Sequence, residues 1–238
     1  MNTIRLYTLL LIVLHQGLAY GQDNTRYNAW TRLTVQTTLN PRFILDNEIQ
    51  HRRQNDFDNR NFFSKNLLTS YRSWIHYRPS RKVQLSLSPF AFFNQYPSYR
   101  QPADGNKSNL HELRFAGAFT LHQPLFSSLY LFSKTGLEYR SFIDQTDKLR
   151  ARERIGLSYS YNNWQVSIYE ELLLHVAGVP ISNFFDQNRL SASISLSPTD
   201  RLGLEFGYIH TDKLPGKSSS LTQEENLFLN LSYKIGKL

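Results

Sequence analysis

From Tyr27 onward the chain alternates apolar and polar residues with a period of two. Near the C-terminus Leu227, Leu229, Leu231, Tyr233 and Ile235 stand against Asn226, Phe228, Asn230, Ser232 and Lys234. Successive side chains of a strand point to opposite faces, so this pattern reads as a strand with one apolar face. Leu190, Ala192, Ile194 and Leu196 repeat it, as do Leu202, Leu204, Phe206 and Tyr208. The alternation predicts strands at 27–39, 42–53, 65–78, 82–95, 109–121, 128–142, 148–161, 164–176, 186–197, 201–212 and 224–236. All exceed the usual soluble strand of about 5–6 residues. They are long enough for tilted membrane-crossing strands, which need about 9–11 residues.

The connections alternate too. Short turns fall at Asn40-Pro41, Pro79-Ser80-Arg81, Asn162-Asn163 and Pro198-Thr199-Asp200, with a slightly longer one at 122–127. Pro, Asn and Asp suit such turns. Longer polar connections lie at 54–64, 96–108, 177–185 and 213–223, and a shorter one at 143–147. Short turns on one rim and long loops on the other describe an up-and-down transmembrane barrel. With both termini on one side the strand number must be even. The expectation is therefore an all-β antiparallel barrel of ten to twelve strands, most simply twelve, although eleven segments are visible.

In such a barrel the apolar side of each strand faces lipid and the polar side faces the lumen. The inward sets then carry nearly all strand charge: Asp46, Glu48, Arg52, Arg72, Glu112, Arg114, Lys134, Glu138, Arg140, Arg150, Arg152, Arg154, Glu171, Arg189 and Glu205. Arg150, Arg152 and Arg154 share one face of one strand and repel each other unless carboxylates interleave; Glu138, Glu171 and Glu205 are the candidates. Glu153 and Glu170 fall on outward faces and are expected near a rim. Trp30, Trp74, Phe90 to Phe93, Tyr159, Tyr161, Trp164, Phe184 and Phe185 sit near strand ends, as interfacial aromatic girdles do.

Residues 1–21 read as a secretory signal peptide: Arg5, an apolar stretch at 6–14, and Ala19-Tyr20-Gly21 as a small-x-small cleavage site. The barrel domain is then 22–238, in the outer membrane of a Gram-negative bacterium. Removing Arg5 lowers the net charge from +8 to +7. Export argues against nucleic acid as the partner of this basic chain and favours outer-membrane lipid and lipopolysaccharide. The absence of Cys excludes disulfides, thiol catalysis and Cys-zinc sites. No cofactor or metal site is expected.

The chain resembles the bacterial family known as domain of unknown function 2490, over about residues 28–236. Trp30 in the first strand, the run from Lys148 to Arg154, Ile168-Tyr169-Glu170-Glu171, Phe185-Asp186-Gln187-Asn188-Arg189 and Leu204-Glu205-Phe206-Gly207-Tyr208 carry the resemblance in their order and spacing. It implies an exported outer-membrane β-barrel and supplies no reaction.

Barrel enzymes that modify lipids use a Ser with a His and a polar orienter. His111 and His210 fall on outward faces near strand ends, and Ser133 and Ser141 are outward, while His76 faces inward with Arg72 and Trp74. The spacing selects no pair. Gly216-Lys217-Ser218 lacks the upstream Gly of a phosphate-binding loop. The expected role is a non-enzymatic barrel, porin-like as a small channel or structural at the surface, with the lumen charges acting as space-filling ion pairs. A lipid-modifying hydrolase or acyltransferase with a rim Ser–His site is the alternative. Asp186 and Arg189 are expected to fix a loop-to-strand transition.

Overall fold

Strand-length alternation and tight turns give a meander that closes on itself. A computed structural model describes residues 25–143, 145–214 and 221–236. The expected signal peptide at 1–21 and Gly216-Lys217-Ser218 lie outside these residues. The strands are β1 (Thr25–Thr38), β2 (Phe43–Gln54), β3 (Lys65–Tyr77), β4 (Val83–Gln95), β5 (Leu110–Pro124), β6 (Leu129–Phe142), β7 (Lys148–Tyr161), β8 (Trp164–Ala177), β9 (Phe185–Leu196), β10 (Leu202–Lys213) and β11 (Thr222–Ile235). Each pairs antiparallel with its neighbour in sequence, and β1 closes against β11.

The closure corrects the even strand number. Among the described residues there are eleven strands, and β1 and β11 run parallel, from Thr25↔Gln223 to Thr37↔Ile235. An odd meander can close only with one parallel pair. Consequently β1 starts at the long-loop rim, while β11 ends at the short-turn rim. The even-number rule assumed both strand ends at one rim, and that assumption fails here.

The wall is inverted relative to a soluble core. Buried polar and charged residues outnumber buried apolar ones about two to one. The outer face instead exposes Ile49, Leu87, Leu137, Ile155, Ile168 and Phe206, among many others. Tyr159, Tyr161 and Trp164 are exposed at the short-turn rim. Trp30, Trp74 and Phe93 are buried, so they belong to the lumen and not to a girdle. Register shifts between Arg72/Ile75 and Ser88/Ala91 mark an irregularity in β4, where the inward positions pass from Ser86 and Ser88 to Ala91 and Phe93, which alternation alone cannot locate.

Large inward rings need space. The Phe228 ring lies over Gly207, where an added Cβ would come within 2.4 Å of the ring and 2.6 Å of the Ala192 carbonyl oxygen. Phe132 and Tyr169 cover Gly156 in the same way, with an added Cβ 2.6 Å from the Phe132 ring and 2.4 Å from the Ile168 carbonyl oxygen. Small residues opposite large ones let side chains fill a narrow barrel.

Candidate functional site

Alternation turns one side of β5 to β9 inward, and that side carries four carboxylates surrounded by arginines. Glu112, on β5, accepts from Arg114 Nε at 2.5 Å and from Arg140 Nε at 2.5 Å. Glu138, on β6, accepts from Arg150 Nη2 at 2.5 Å, Arg152 Nη1 at 2.6 Å and Arg72 Nη2 at 3.4 Å. Glu171, on β8, accepts from Arg152 Nη2 at 2.7 Å, Arg154 Nη2 at 3.0 Å and Arg189 Nη1 at 3.0 Å. Asp186, on β9, accepts from Arg150 Nη1 at 2.7 Å. Glu112, Glu138 and Glu171 are almost completely buried. Buried charges persist only when paired and hydrogen-bonded, and these forked contacts meet that condition.

The opposite side of the lumen is less balanced. Glu48 reaches Arg32 only at 3.9 Å. Glu205 does not join the arginine row; it accepts from Asn230 Nδ2 at 2.7 Å. Arg52 donates to Gln50 Oε1 at 3.0 Å and lies 3.7 Å over the Trp30 ring, with no carboxylate in ion-pair reach among the described residues. Below the β4–β5 loop, Arg26 donates to Gln54 Oε1 at 2.6 Å and Asn28 to Asn226 Oδ1 at 2.9 Å. Sequence reasoning left this cluster unnamed, although Arg26 and Asn28 continue the period of two.

These side chains surround a cavity of about 820 Å³. Its lining runs from Tyr96, Gln145, Val179 and Leu214 at the long-loop rim down to Arg32, Glu48, Lys134 and Asn230. Twelve basic residues face it against four acidic ones, with Glu112, Glu138 and Glu171 set behind the arginines. The cavity is therefore cationic.

The outward Ser and His residues do not meet. Ser133 donates to Glu153 Oε1 at 2.7 Å, His210 faces Glu225 Oε1 at 3.1 Å, and His111 stacks on Phe92. A Ser–His pair forms elsewhere, inside the barrel toward the short-turn rim. His76 Nδ1 is 2.8 Å from Ser86 Oγ, and His76 Nε2 is 3.2 Å from Asp46 Oδ2. Adjacent strands place them, since His76 and Ser86 are register partners. Ser86 and His76 are buried, and none of the three lines the cationic cavity.

Glu153 and Glu170 lie well inside their strands, not at a rim. Thr135 Oγ1 also donates to Glu153, at 2.5 Å, and Asn188 Nδ2 donates to Glu170 at 2.8 Å. Neighbouring hydroxyl and amide groups solvate each carboxylate locally, which makes the mid-strand position tolerable.

The segment from Phe185 to Arg189 opens β9 and divides between the two faces. Asp186 and Gln187 are buried inward, whereas Asn188 serves Glu170 outside. Asp186 and Arg189 engage different partners, Arg150 and Glu171, so together they tie β9 to β7 and β8. Gly207 admits Phe228, and the Tyr208 hydroxyl donates to Glu225. Residues 27–215 match the family model described as protein of unknown function (DUF2490). The chain belongs to the DUF2490 family. No curated protein matches it. The DUF2490 match takes in all of β2 to β10 and the whole carboxylate–arginine network, while β11 lies beyond it.

Proposed function

We propose that this DUF2490 barrel is a non-enzymatic protein of the bacterial outer membrane that serves as a small, anion-preferring channel. The observation that carries the reading is the inversion of the wall, with exposed Leu, Ile and Phe outside and paired charge inside. A water-soluble domain rarely exposes a contiguous apolar patch beyond a few hundred Å². A barrel in lipid requires one, because its backbone is satisfied by closure and its outer side chains meet hydrocarbon. The excess of basic residues in the lumen raises the local anion concentration. An N-terminal signal peptide supplies the route of export.

The test is single-channel recording of refolded residues 22–238 in a planar bilayer under a potassium chloride gradient. Discrete steps with a reversal potential on the chloride side support the reading. Cation preference, or failure to insert, contradicts it.

The Asp46–His76–Ser86 line favours a second reading, a serine hydrolase inside the barrel, because its contacts follow the nucleophile–base–orienter order. Burial weighs against it, since a substrate ester must reach Ser86 Oγ. Labelling by a fluorophosphonate that Ser86→Ala abolishes would support the hydrolase; equal absence of labelling in both chains would remove it.

A further inference from the structure

We propose that the cationic cavity contains a binding site for a compact multivalent oxyanion, a solute bearing two or more phosphate or carboxylate groups, held by Trp30, Arg52 and Arg189. Trp30 Nε1 and the Nε atoms of Arg52 and Arg189 are buried donors with no acceptor among the described residues. Trp30 is itself more than nine-tenths buried, at 6% exposure. A buried N–H left without an acceptor is costly, and such groups in native proteins call for an explanation.

The three donors converge. Trp30 and Arg52 are register partners on β1 and β2, Arg52 stacks 3.7 Å over Trp30, and Arg189 approaches the same ring to 5.5 Å from across the β1–β11 closure. Arg189 already donates to Glu171 and Gln187, and Arg52 to Gln50, through their terminal nitrogens, which leaves the Nε–H of each without an acceptor among the described residues. All three residues line the cavity.

Charge points the same way. Around Arg52 act the guanidiniums of Arg32, Arg114 and Arg189, against the single carboxylate of Glu224. Lys134 also faces the cavity, 5.2 Å from the Trp74 ring, without a carboxylate in ion-pair reach among the described residues. Buried cations in such excess repel one another, and an anion among them offsets that repulsion. Guanidinium forks match the paired oxygens of phosphate and carboxylate, which selects oxyanions over halides. The cavity volume of about 820 Å³ falls within the range of small-molecule sites. Its lining reaches the long-loop rim at Tyr96, Gln145 and Val179.

The site depends on the lumen alone, so its test is independent of where the barrel resides. The refolded chain in detergent micelles is titrated calorimetrically with inorganic pyrophosphate and, separately, with citrate, at constant ionic strength set by sodium chloride. The expected result is saturable binding of one equivalent by at least one of them; the tighter one assigns phosphoryl or carboxylate preference. Arg52→Gln, which breaks no ion pair, and Trp30→Phe, which keeps an aromatic ring and removes the N–H, should each weaken binding by about tenfold. Both variants must keep the heat-modifiable gel mobility of the parent barrel. Absence of saturation with either anion, or saturation unchanged in both variants, overturns the proposal.

Discussion

Arg152 joins Glu138 to Glu171, with Nη1 2.6 Å from one carboxylate and Nη2 2.7 Å from the other. One side chain on β7 thereby ties β6 to β8 through the lumen, in addition to the backbone ladder. Glu138 also receives Arg150 and Arg72, so three guanidiniums share this buried carboxylate. Glu138→Gln removes the one carboxylate paired with Arg72 among the described residues and one of the two paired with each of Arg150 and Arg152, and should destabilise the barrel by about 3–5 kcal/mol. Denaturant unfolding in micelles, read by tryptophan fluorescence, checks this. An unchanged midpoint would mean that the network fills space without holding the strands.

Gly207→Ala places a Cβ against both the Phe228 ring and the Ala192 carbonyl oxygen, at 2.4 and 2.6 Å. The ring can turn but the backbone oxygen cannot, so overpacking should cost about 1–3 kcal/mol. The same unfolding assay measures it. Gly117→Ala is the control: an added Cβ there meets nothing within 4 Å, and its midpoint should stay with the parent.

Asp104 organises the β4–β5 loop. The Lys107 ammonium, and then the backbone N–H groups of Arg100 and Gln101 at 2.8 and 3.0 Å, hold its carboxyl down to about 2. A lowered folded value stabilises the loop above the unfolded value of about 4 and loses that contribution as pH falls toward 2. Amide resonances of Arg100 and Gln101 should titrate with a midpoint near 2. A midpoint near the unperturbed value of about 4 would show that the carboxylate is not held there.

The period of two was enough to place all eleven strands to within about three residues, because a half-apolar strand cannot hide its alternation. The inward identity of Glu112, Glu138 and Glu171 followed from the same phase. Three features were not legible, for physical reasons. The parallel β1–β11 closure is set by where the first strand begins relative to the last, which no local pattern records. The Asp46–His76–Ser86 line depends on cross-strand register. Trp30 points inward although aromatic, because the Arg52 guanidinium over its indole accommodates it.

The odd strand number fixes an asymmetry that can be tested directly. An epitope inserted before Thr25 and another after Gly236 should be reached from opposite sides of the membrane. Antibody labelling of intact and permeabilised cells reads this. Labelling of both tags from one side would contradict the eleven-strand closure.

Leu137 stands mid-strand on the outer wall at 52% exposure, with Gly117 and Ala151 as its register partners. In lipid, Leu137→Arg should cost about 2–4 kcal/mol of folding stability, because a midplane cation faces hydrocarbon. At an exposed site in water the same change should fall within about 0.5 kcal/mol. Refolding yield and urea midpoint in lipid vesicles distinguish the two.

The central claim is that the apolar wall faces lipid and the charged wall faces the lumen. Trp164 is exposed on the outside at 45%, whereas Trp30 is buried inside. Two single-tryptophan chains, one keeping Trp164 and one keeping Trp30, would be refolded into vesicles of phosphatidylcholine brominated near the headgroup end of the acyl chains. The account predicts strong quenching of Trp164 and little of Trp30. Unquenched Trp164, with the chain remaining in the aqueous fraction, would contradict it.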